Sequence, residues 1–193
     1  MTTARENRFK EVISQRRQDL TILLENVFNP HNIAAVMRTC DAVGISEIFV
    51  LNTQVPPLKH FGKNSSSSAE KWLTIHQFSH LEDCIHTIKK TYPIIVGTDL
   101  NAAAKPYWER KFNQNICIVF GNEGAGISLE MKPYLHENIF IPQVGMIRSL
   151  NISVACAIIL YEDFRHKSIE NKQYLKQLSA DKQSELFKTW QEK

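Results

Sequence analysis

Three short segments of this 193-residue chain place polar side chains or glycines next to apolar runs, where they could act on a ligand. In the first, residues 29–40, the apolar side chains share one helical face, whereas Arg38 lies on another, one turn after Ala34. A long cation above a small residue has room for a bulky anion such as a nucleic-acid phosphate. A surface pair between Arg38 and Asp41 is the simpler alternative, and the local sequence favours it. Asn32 is, by the same reasoning, an ordinary polar residue of the first helical turn.

The second segment, residues 118–128, is an apolar run that ends in a loop with three glycines and one carboxylate. Gly121, Gly124 and Gly126 would allow a ligand to approach the backbone closely, and Glu123 supplies the carboxylate. The order of the glycines differs from that of dinucleotide-binding loops and of Walker phosphate loops, so both of these sites are excluded. Taken alone, a glycine turn of this kind is a weak indication of function.

The third segment, residues 141–155, leads into the most apolar stretch of the chain. The length and the alanines of that stretch favour a helix buried on several faces over a strand. Ser149 and Asn151 lie where it begins, and helix capping is their simplest role. The small residues Ser153 and Ala155 predict close packing against another element.

Strands and helices alternate along the chain, which predicts an α/β domain with a mostly parallel sheet and helices on both faces. Short apolar runs predict strands over residues 20–24, 48–51, 72–75, 93–96, 116–120 and 139–141. Capped or amphipathic segments predict helices over residues 3–17, 30–43, 80–90, 152–161 and 175–190. Asn29 with Pro30, and Ser79 with Glu82, mark the starts of the second and third helices. Ligands of such sheets bind beyond the carboxyl ends of the strands.

The composition, with 43% hydrophobic and 22% charged residues, is that of a globular protein with an ordinary core. No run approaches the roughly 20 apolar residues that span a bilayer. The N-terminal residues lack the apolar region of a secretory signal. The four cysteines lie far apart and form no C-x-x-C pair, which favours a reducing compartment. We therefore expect a cytoplasmic protein without a membrane partner.

His76, His80 and Cys84 are spaced four residues apart and would line up as metal ligands on one continuous helix. Ser79 is predicted to cap that helix, however, which leaves His76 in the preceding strand. We therefore predict no metal site.

Basic residues concentrate near both ends of a chain whose net charge is only +3. Residues 1–17 contain five basic and two acidic residues, and residues 165–176 contain four basic residues and one acidic residue. A near-neutral body with basic ends suggests extensions that meet a polyanion. Two solvated helices would give the same pattern, and charge alone does not decide between them.

In this order and at these separations, the three segments resemble the motifs of the SpoU (TrmH) branch of the SPOUT RNA methyltransferases. The matching residues are Asn32 with Arg38 and Thr39, residues 120–128, and Ile141 and Pro142 with residues 149–155. Each motif alone is weak, but the ordered set is highly specific. Similarity extends to residues 16–27 and 175–190, and it therefore covers nearly the whole chain.

The resemblance implies a methyltransferase domain over residues 19–163, with a trefoil knot at roughly 93–163 and helical extensions at 1–18 and 164–193. It also implies that S-adenosyl-L-methionine binds bent within the knot, largely through backbone groups. The expected cofactor-binding residues are Thr98, Gly121, Asn122, Ile141, Met146 and Leu150. Members of the family act as homodimers, in which the partner subunit completes each site.

The implied reaction is methyl transfer from this cofactor to a ribose 2′-hydroxyl of tRNA. The expected catalytic residues are Arg38, Asn32, Glu123, Ser149 and Asn151. Because arginine side chains stay protonated in proteins, we expect Arg38 to bind phosphate and stabilise the developing alkoxide rather than act as a base. Only Glu123 among the others could accept a proton, and the rest would position the ribose and the cofactor.

The resemblance also implies that the basic residues near both ends of the chain bind the tRNA backbone. The expected RNA-binding residues are Arg5, Arg8, Lys10, Arg16, Arg17, Lys63, Arg165, Lys167, Lys172 and Lys176. The flanking segments resemble those of family members that act on the D-loop, so the expected target is guanosine 18. Methylation of rRNA or of the tRNA wobble position, and non-catalytic RNA binding on the same fold, are the alternatives.

Overall fold

Seven strands form one sheet in the part of the chain that the computed structural model describes, residues 2–57, 69–110, 114–170 and 177–193. The strands are β1 (Leu20–Glu25), β2 (Glu47–Leu51), β3 (Thr74–Phe78), β4 (Ile94–Gly97), β5 (Lys105–Pro106), β6 (Ile116–Phe120) and β7 (Glu137–Phe140). Their order across the sheet is β3-β2-β1-β6-β4-β7-β5, and every pairing is parallel. The predicted parallel sheet is therefore confirmed.

The central strands β1 and β6 pair in register from Leu20 with Ile116 to Leu24 with Phe120. All their residues are buried because helices cover both faces, which explains why these runs are apolar without alternation. Both strands end at the same edge of the sheet. The loops that follow Glu25 and Phe120 therefore leave the sheet side by side.

Helices cover both faces of the sheet, as predicted. The helices are α1 (Thr3–Ser14), α2 (Pro30–Ala42), α3 (Leu81–Lys89), α4 (Ile152–Arg165) and α5 (Ala180–Gln191). One apolar core lies between the sheet and the α2–α4 pair, and a second lies between the sheet and α3. The start of α2 is confirmed, since the Asn29 side chain accepts a hydrogen bond from the His31 amide at 2.9 Å. Among the described residues, no helix combines the length and apolarity needed to cross a bilayer.

The terminal helices α1 and α5 pack together through aromatic side chains. The ring centroid of Phe9 lies 5.5 Å from those of both Trp72 and Trp190, and Phe187 packs against the same cluster. Such tilted and edge-on ring pairs add to the stabilisation from apolar burial. The two ends of the chain are thus joined to each other and to the segment before β3.

Several local predictions were wrong. The third strand spans Thr74–Phe78 rather than 72–75, and the capping box is absent because His80, not Ser79, precedes α3. The sequence did not predict β5, because two residues ending in a proline carry no periodic pattern. The last helix begins at Ala180 rather than at residue 175, and residues 175–176 of the predicted helix lie outside the described residues.

Three residues predicted to bind RNA are buried in ion pairs instead. Arg16 and Arg17 are each 1% exposed and Lys167 is 2% exposed. Arg17 donates to Asp19 Oδ1 at 2.7 Å and to Asp163 Oδ2 at 2.6 Å. Lys167 Nζ lies 3.0 Å from Asp163 Oδ1 and also pairs with Asp19. Because these three side chains are buried and paired with carboxylates of the same chain, the prediction that they bind tRNA was wrong.

We call Arg17, Asp19, Asp163 and Lys167 the buried charge cluster. The charges of the two cations and the two anions in this cluster neutralise each other in a region that is buried from solvent. Burial would raise the pKa of Asp19, but the hydrogen bond from Arg17 and the charges of both cations outweigh burial and hold this pKa below its ordinary value. Asp19 therefore remains ionised at neutral pH, and its pairing with buried cations is how a protein interior tolerates charge.

Arg16 has a separate set of partners. Its guanidinium pairs with Asp41, donates to the Ile45 carbonyl at 2.8 Å and lies 5.3 Å from the ring centroid of Trp190. Because Arg16 occupies the Asp41 carboxylate, the surface pair between Arg38 and Asp41 does not form.

Candidate active site

A cavity of about 610 Å³ lies beyond the carboxyl ends of β4, β6 and β7. This volume falls within the roughly 300–1,000 Å³ that small-molecule sites occupy. Residues of five segments line it, namely 28–32, 98–100, 120–126, 139–143 and 148–159. All three segments singled out in the sequence therefore meet at one cavity, at the edge of the sheet where ligands of parallel sheets bind.

The glycine loop, residues 121–128, follows β6 and forms one wall of the cavity. Asn122 and Gly126 exchange two backbone hydrogen bonds of 2.9 Å, and Gly126 adopts a φ of +72° to close the turn. The Asn122 side chain accepts from the amides of Gly124 and Ala125, both at 2.9 Å. A Cβ on Gly121 would lie only 2.3 Å from the Gly126 carbonyl carbon, so this position requires glycine.

A chain of hydrogen bonds joins the three segments at the rim of the cavity. Asn32 Nδ2, in the first turn of α2, donates to Glu123 Oε1 at 3.0 Å. Asn32 Oδ1 accepts from Asn151 Nδ2 at 3.0 Å. Asn151 Oδ1 in turn caps α4 by accepting from the Ser153 amide at 2.8 Å and from its hydroxyl at 2.6 Å. The helix caps expected of Asn29 and Asn151 thus place the first turns of both helices beside Glu123.

The orientation of each amide in this chain follows from its neighbours. Because a helix N-terminus offers only donors, Asn151 must present its oxygen to α4 and its nitrogen to Asn32. Asn32 must then accept with its oxygen and donate with its nitrogen to Glu123. Among the described residues, Glu123 Oε2 has no hydrogen-bond partner, so it is available to accept a proton or a hydrogen bond from a hydroxyl.

Arg38 lies on the exposed side of α2 and does not line the cavity of its own chain. Within the described ranges it has no hydrogen-bond or ion-pair partner. Ala34, which was expected to leave space beside it, is fully buried. Arg38 therefore presents an uncompensated positive charge to whatever approaches from solvent.

Comparison with known proteins fits this geometry. Residues 19–161 match the model of the SpoU rRNA methylase family. The chain belongs to this family. The tRNA (guanosine(18)-2′-O)-methyltransferase of Thermus thermophilus is 36% identical over 168 residues, which are 86% of this chain and 84% of that one. The enzyme of the same name from Escherichia coli is 34% identical over 169 residues, covering 86% of this chain and 72% of that one.

Two solved structures of RNA-modifying enzymes share the fold. The Aquifex aeolicus TrmH/SpoU tRNA modifying enzyme superposes with a TM-score of 0.86 at 31% identity, covering 97% of this chain and 94% of that one. An AdoMet-bound rRNA methyltransferase from Sinorhizobium meliloti superposes with a TM-score of 0.70 at 26% identity, covering 82% of this chain and 60% of that one.

Five of the six residues that the SpoU resemblance assigns to the cofactor line the cavity: Thr98, Gly121, Asn122, Ile141 and Leu150. Met146 does not line it, and its side chain is 98% exposed. Ser149 lines the cavity together with Asn32, Glu123 and Asn151. Thr98 is held at the end of β4 because its hydroxyl and amide donate to the Val119 carbonyl at 2.8 and 3.1 Å.

The remaining residues assigned to RNA divide into two groups. Arg5, Arg8, Lys10 and Arg165 are exposed, on α1 and at the end of α4. Arg8 forms an ion pair with Glu11, and Lys10 forms one with Glu6. Both pairs are exposed, so solvent weakens them and the charged groups remain accessible at the surface. Lys63, Lys172 and Lys176 lie outside the described residues.

Several residues of the site were assigned no role from the sequence. Asp99 and Arg148 line the cavity, and Asp99 pairs with Lys132 at 3.2 Å. Arg148 stands inside the third motif, where its charge beside Ser149 was the available signal. Glu25 and Asn26, which hold the glycine loop, carried no signal because their partners lie about a hundred residues away.

Outside this cavity, the described residues contain no group of three or more His, Cys, Asp or Glu side chains arranged to hold a metal ion. His76 Nε2 lies 2.8 Å from Glu47 Oε2 at the opposite edge of the sheet, and Cys84 is buried in the second core. All four cysteines are buried and free.

Proposed function

We propose that this chain transfers a methyl group from S-adenosylmethionine to the 2′-hydroxyl of a ribose in tRNA, at guanosine 18 of the D-loop. The observation that carries the proposal is the hydrogen-bonded chain from Glu123 through Asn32 to Asn151 at the rim of the cavity. The tRNA-modifying relatives support it, since this chain covers 84% of the Thermus thermophilus enzyme but only 60% of the rRNA methyltransferase from Sinorhizobium meliloti.

The cavity fits S-adenosylmethionine. Leu150 and Ile141 provide an apolar wall for the adenine, and the glycine loop offers backbone groups without side chains in front of them. A Cβ on Gly126 would meet no atom within 4 Å, so a ligand can approach the loop from that side. When bound there, the sulfonium would supply an activated methyl group.

The side chains at the rim can prepare the ribose hydroxyl for attack. In the part of the chain that the structure describes, Glu123 Oε2 has no partner, so it can accept the hydrogen bond or the proton of the ribose hydroxyl, while Asn32 holds the other carboxylate oxygen in place. Asn151 fixes Asn32, so the carboxylate is oriented by two helices rather than by a loop alone. Arg38 binds an RNA phosphate and stabilises the negative charge that develops on the attacking oxygen.

The test of this function uses unmodified tRNA transcripts and labelled S-adenosylmethionine. We expect label on the ribose of guanosine 18, and none on a transcript whose guanosine 18 already carries a 2′-O-methyl group. Label that persists on the blocked transcript, or that appears only on rRNA or on the wobble nucleotide, would contradict the proposed target. RNA binding without any transfer would favour the non-catalytic alternative.

Gly121→Ala should abolish cofactor binding, because its Cβ would meet the Gly126 carbonyl carbon at 2.3 Å and force the backbone of the loop to move. A displacement of about 1 Å in a catalytic geometry can lower the reaction rate on the order of 100-fold, so methyl transfer should fall as well. Gly124→Ala is the matched control, since its nearest neighbour would be Asn122 Oδ1 at 3.6 Å. Calorimetric titration with S-adenosylmethionine checks both variants. If both variants bound S-adenosylmethionine as tightly as the wild type, the loop would not contact the cofactor.

The active form in this proposal is a homodimer that covers the outer face of α4. Val154 and Tyr161 lie two helical turns apart on that face and are 46% and 50% exposed. The neighbouring loop adds Val144, Met146 and Ile147, which are 106%, 98% and 65% exposed. Exposed apolar side chains in such number are typical of an interface. A second subunit would also explain why Arg38 stands outside the cavity of its own chain.

Tyr161→Glu should dissociate the dimer, because it buries a charge in an apolar interface. Leu129→Glu is the control, since Leu129 is 78% exposed and belongs to a different surface. Sedimentation velocity of the wild type and both variants measures the outcome. A monomeric wild type, or a Tyr161→Glu variant as dimeric as the control, would contradict this interface.

The same proposal covers the domain division and the location. A methyltransferase domain at 19–163 is supported by the family match to residues 19–161, and the helical extensions at 1–18 and 164–193 by the packing of α1 on α5. A knot at roughly 93–163 is supported by the resemblance to the SPOUT enzymes. The exposed Arg5, Arg8, Lys10 and Arg165 would bind tRNA phosphates, in the cytoplasm.

A further inference from the structure

Two consecutive residues at the carboxyl end of β1 hold both ends of the glycine loop. At its start, Asn122 Nδ2 donates to the main-chain carbonyl of Asn26 at 2.8 Å. At its end, Ser128 donates from its amide to Glu25 Oε2 at 3.1 Å and from its hydroxyl to Glu25 Oε1 at 2.5 Å. We call Glu25, Asn26, Asn122 and Ser128 the loop clamp. Glu123 lies between the two anchors, but its carboxylate is held separately, by the hydrogen bond from Asn32.

The backbone at Asn26 is in an uncommon conformation. In residues 2–57, 69–110, 114–170 and 177–193, Asn26 is the one non-glycine residue with a positive φ, of 53°. Its side-chain oxygen accepts from the amides of Thr53 and Gln54 at 2.8 and 2.9 Å, which stabilises that conformation. Backbone held in a sparsely populated region by its surroundings is concentrated at functional sites.

Glu25 is a buried carboxylate whose described partner is Ser128 alone. It is 1% exposed, and both its oxygens are used by that serine. Burial raises the pKa of Glu25, and the hydrogen bonds from Ser128 only partly offset this effect. A buried acid without a cationic partner contributes little to stability, which indicates a role other than holding the fold together.

The outer side of the glycine loop has little other support. A Cβ on Gly126 would meet nothing within 4 Å, and one on Gly124 would meet only Asn122 Oδ1 at 3.6 Å. The position of the loop relative to the sheet therefore depends on its two anchors, on the hydrogen bond from Asn32 to Glu123, and on the packing of Ile127, which is 5% exposed in the second core.

We propose that Glu25 and Asn26 are positioning residues, which hold the glycine loop in the shape that cofactor binding requires. This inference rests on the proposed function, in that S-adenosylmethionine is taken as the ligand of the loop. The clamp acts through the loop backbone and touches neither the methyl group nor the RNA. Its loss should therefore weaken cofactor binding far more than it slows transfer at saturating cofactor.

Three variants test the clamp. Ser128→Ala removes the hydroxyl bond to Glu25, Glu25→Gln replaces the carboxylate with a weaker acceptor, and Ser128→Thr keeps the hydroxyl. We expect Ser128→Ala and Glu25→Gln to raise the Kd and the KM for S-adenosylmethionine about tenfold, which corresponds to one charge-assisted hydrogen bond. The kcat should stay within about twofold, and Ser128→Thr should behave as the wild type.

Glu47→Gln is the matched control for a purely structural effect. Glu47 is a partly buried carboxylate of the neighbouring strand that binds His76 and Tyr92 at 2.8 and 2.9 Å, at the amino edge of the sheet. It should lower the melting temperature without changing the affinity for S-adenosylmethionine. Ser128→Ala deletes a single atom, so it keeps the test possible if Glu25→Gln does not fold.

The outcomes separate the clamp from the proposed function. If Ser128→Ala lowers only the melting temperature, as Glu47→Gln does, and leaves Kd and KM unchanged, then the clamp is structural and the inference is wrong. If the wild type binds S-adenosylmethionine and Ser128→Ala weakens that binding, the clamp stands. In that second case, a failure of the wild type to methylate any tRNA would overturn the proposed function alone.

Discussion

Arg38→Ala is expected to reduce methyl transfer to tRNA by about 10²–10³-fold, the loss typical of removing one charge that stabilises a developing oxyanion. Its fold and its affinity for S-adenosylmethionine should be unchanged. The reason lies in the surroundings of Arg38, which is exposed, has no described partner and stands outside the cavity. Single-turnover transfer with saturating tRNA measures the chemical step separately from RNA binding.

Two further variants define what Arg38 contributes. Arg38→Lys keeps the charge but not the planar group that binds phosphate through two donors, so we expect partial activity. Arg8→Ala, which removes another exposed arginine, should weaken tRNA binding but leave the single-turnover rate unchanged. If Arg38→Ala retained more than a tenth of the wild-type rate, Arg38 would be a binding residue only.

Asp163→Ala is expected to destabilise the protein by about 3–5 kcal/mol, the cost of removing one member of a buried ion pair. Asp163 is 0% exposed and receives a hydrogen bond of 2.6 Å from Arg17, with Lys167 at 3.0 Å. Without it, two cations would share the single carboxylate of Asp19. Equilibrium unfolding in urea, followed by tryptophan fluorescence, measures the change in the free energy of unfolding.

The neighbouring Glu162 provides the control for this prediction. It lies on the same helix and pairs with Arg165 at 2.8 Å, but this pair is on the surface. Glu162→Ala should therefore cost less than about 1 kcal/mol. A loss below about 1 kcal/mol for Asp163→Ala as well would mean that the buried charges do not depend on one another.

Much of the sheet could be predicted because its signals are local. The run at 116–120 is buried on both faces and shows as an uninterrupted apolar stretch, and Asn29 with Pro30 marks the start of α2 in the sequence itself. β5 could not be predicted, since two residues at a sheet edge have no pattern. The extent of β3 was misplaced because its residues are only partly buried, which weakens their periodicity.

The functional residues likewise include some that could be predicted from the sequence and some that could not. Asn32, Glu123 and Asn151 could be selected because they stand in motifs whose order is recognisable, and the structure brings them into hydrogen-bond contact. The positive charges of Arg17 and Lys167 were misassigned to RNA binding. The sequence around Arg17 does not reveal that its partner, Asp163, lies 146 residues away. The presence of such a partner decides whether an arginine side chain is buried or exposed to solvent.

The buried charge cluster also has a consequence for how the chain is made. Arg17 and Asp19 leave the ribosome early, whereas Asp163 and Lys167 follow near the end of synthesis. Domains generally begin to fold from the N-terminus as they emerge. Here the residues just before β1 carry a cation and an anion that are not fully compensated until the end of α4 and Lys167 after it have been translated. We therefore expect the buried charge cluster to form only after residue 167 has been translated, and a chain that ends before residue 163 would lack one of its two carboxylates.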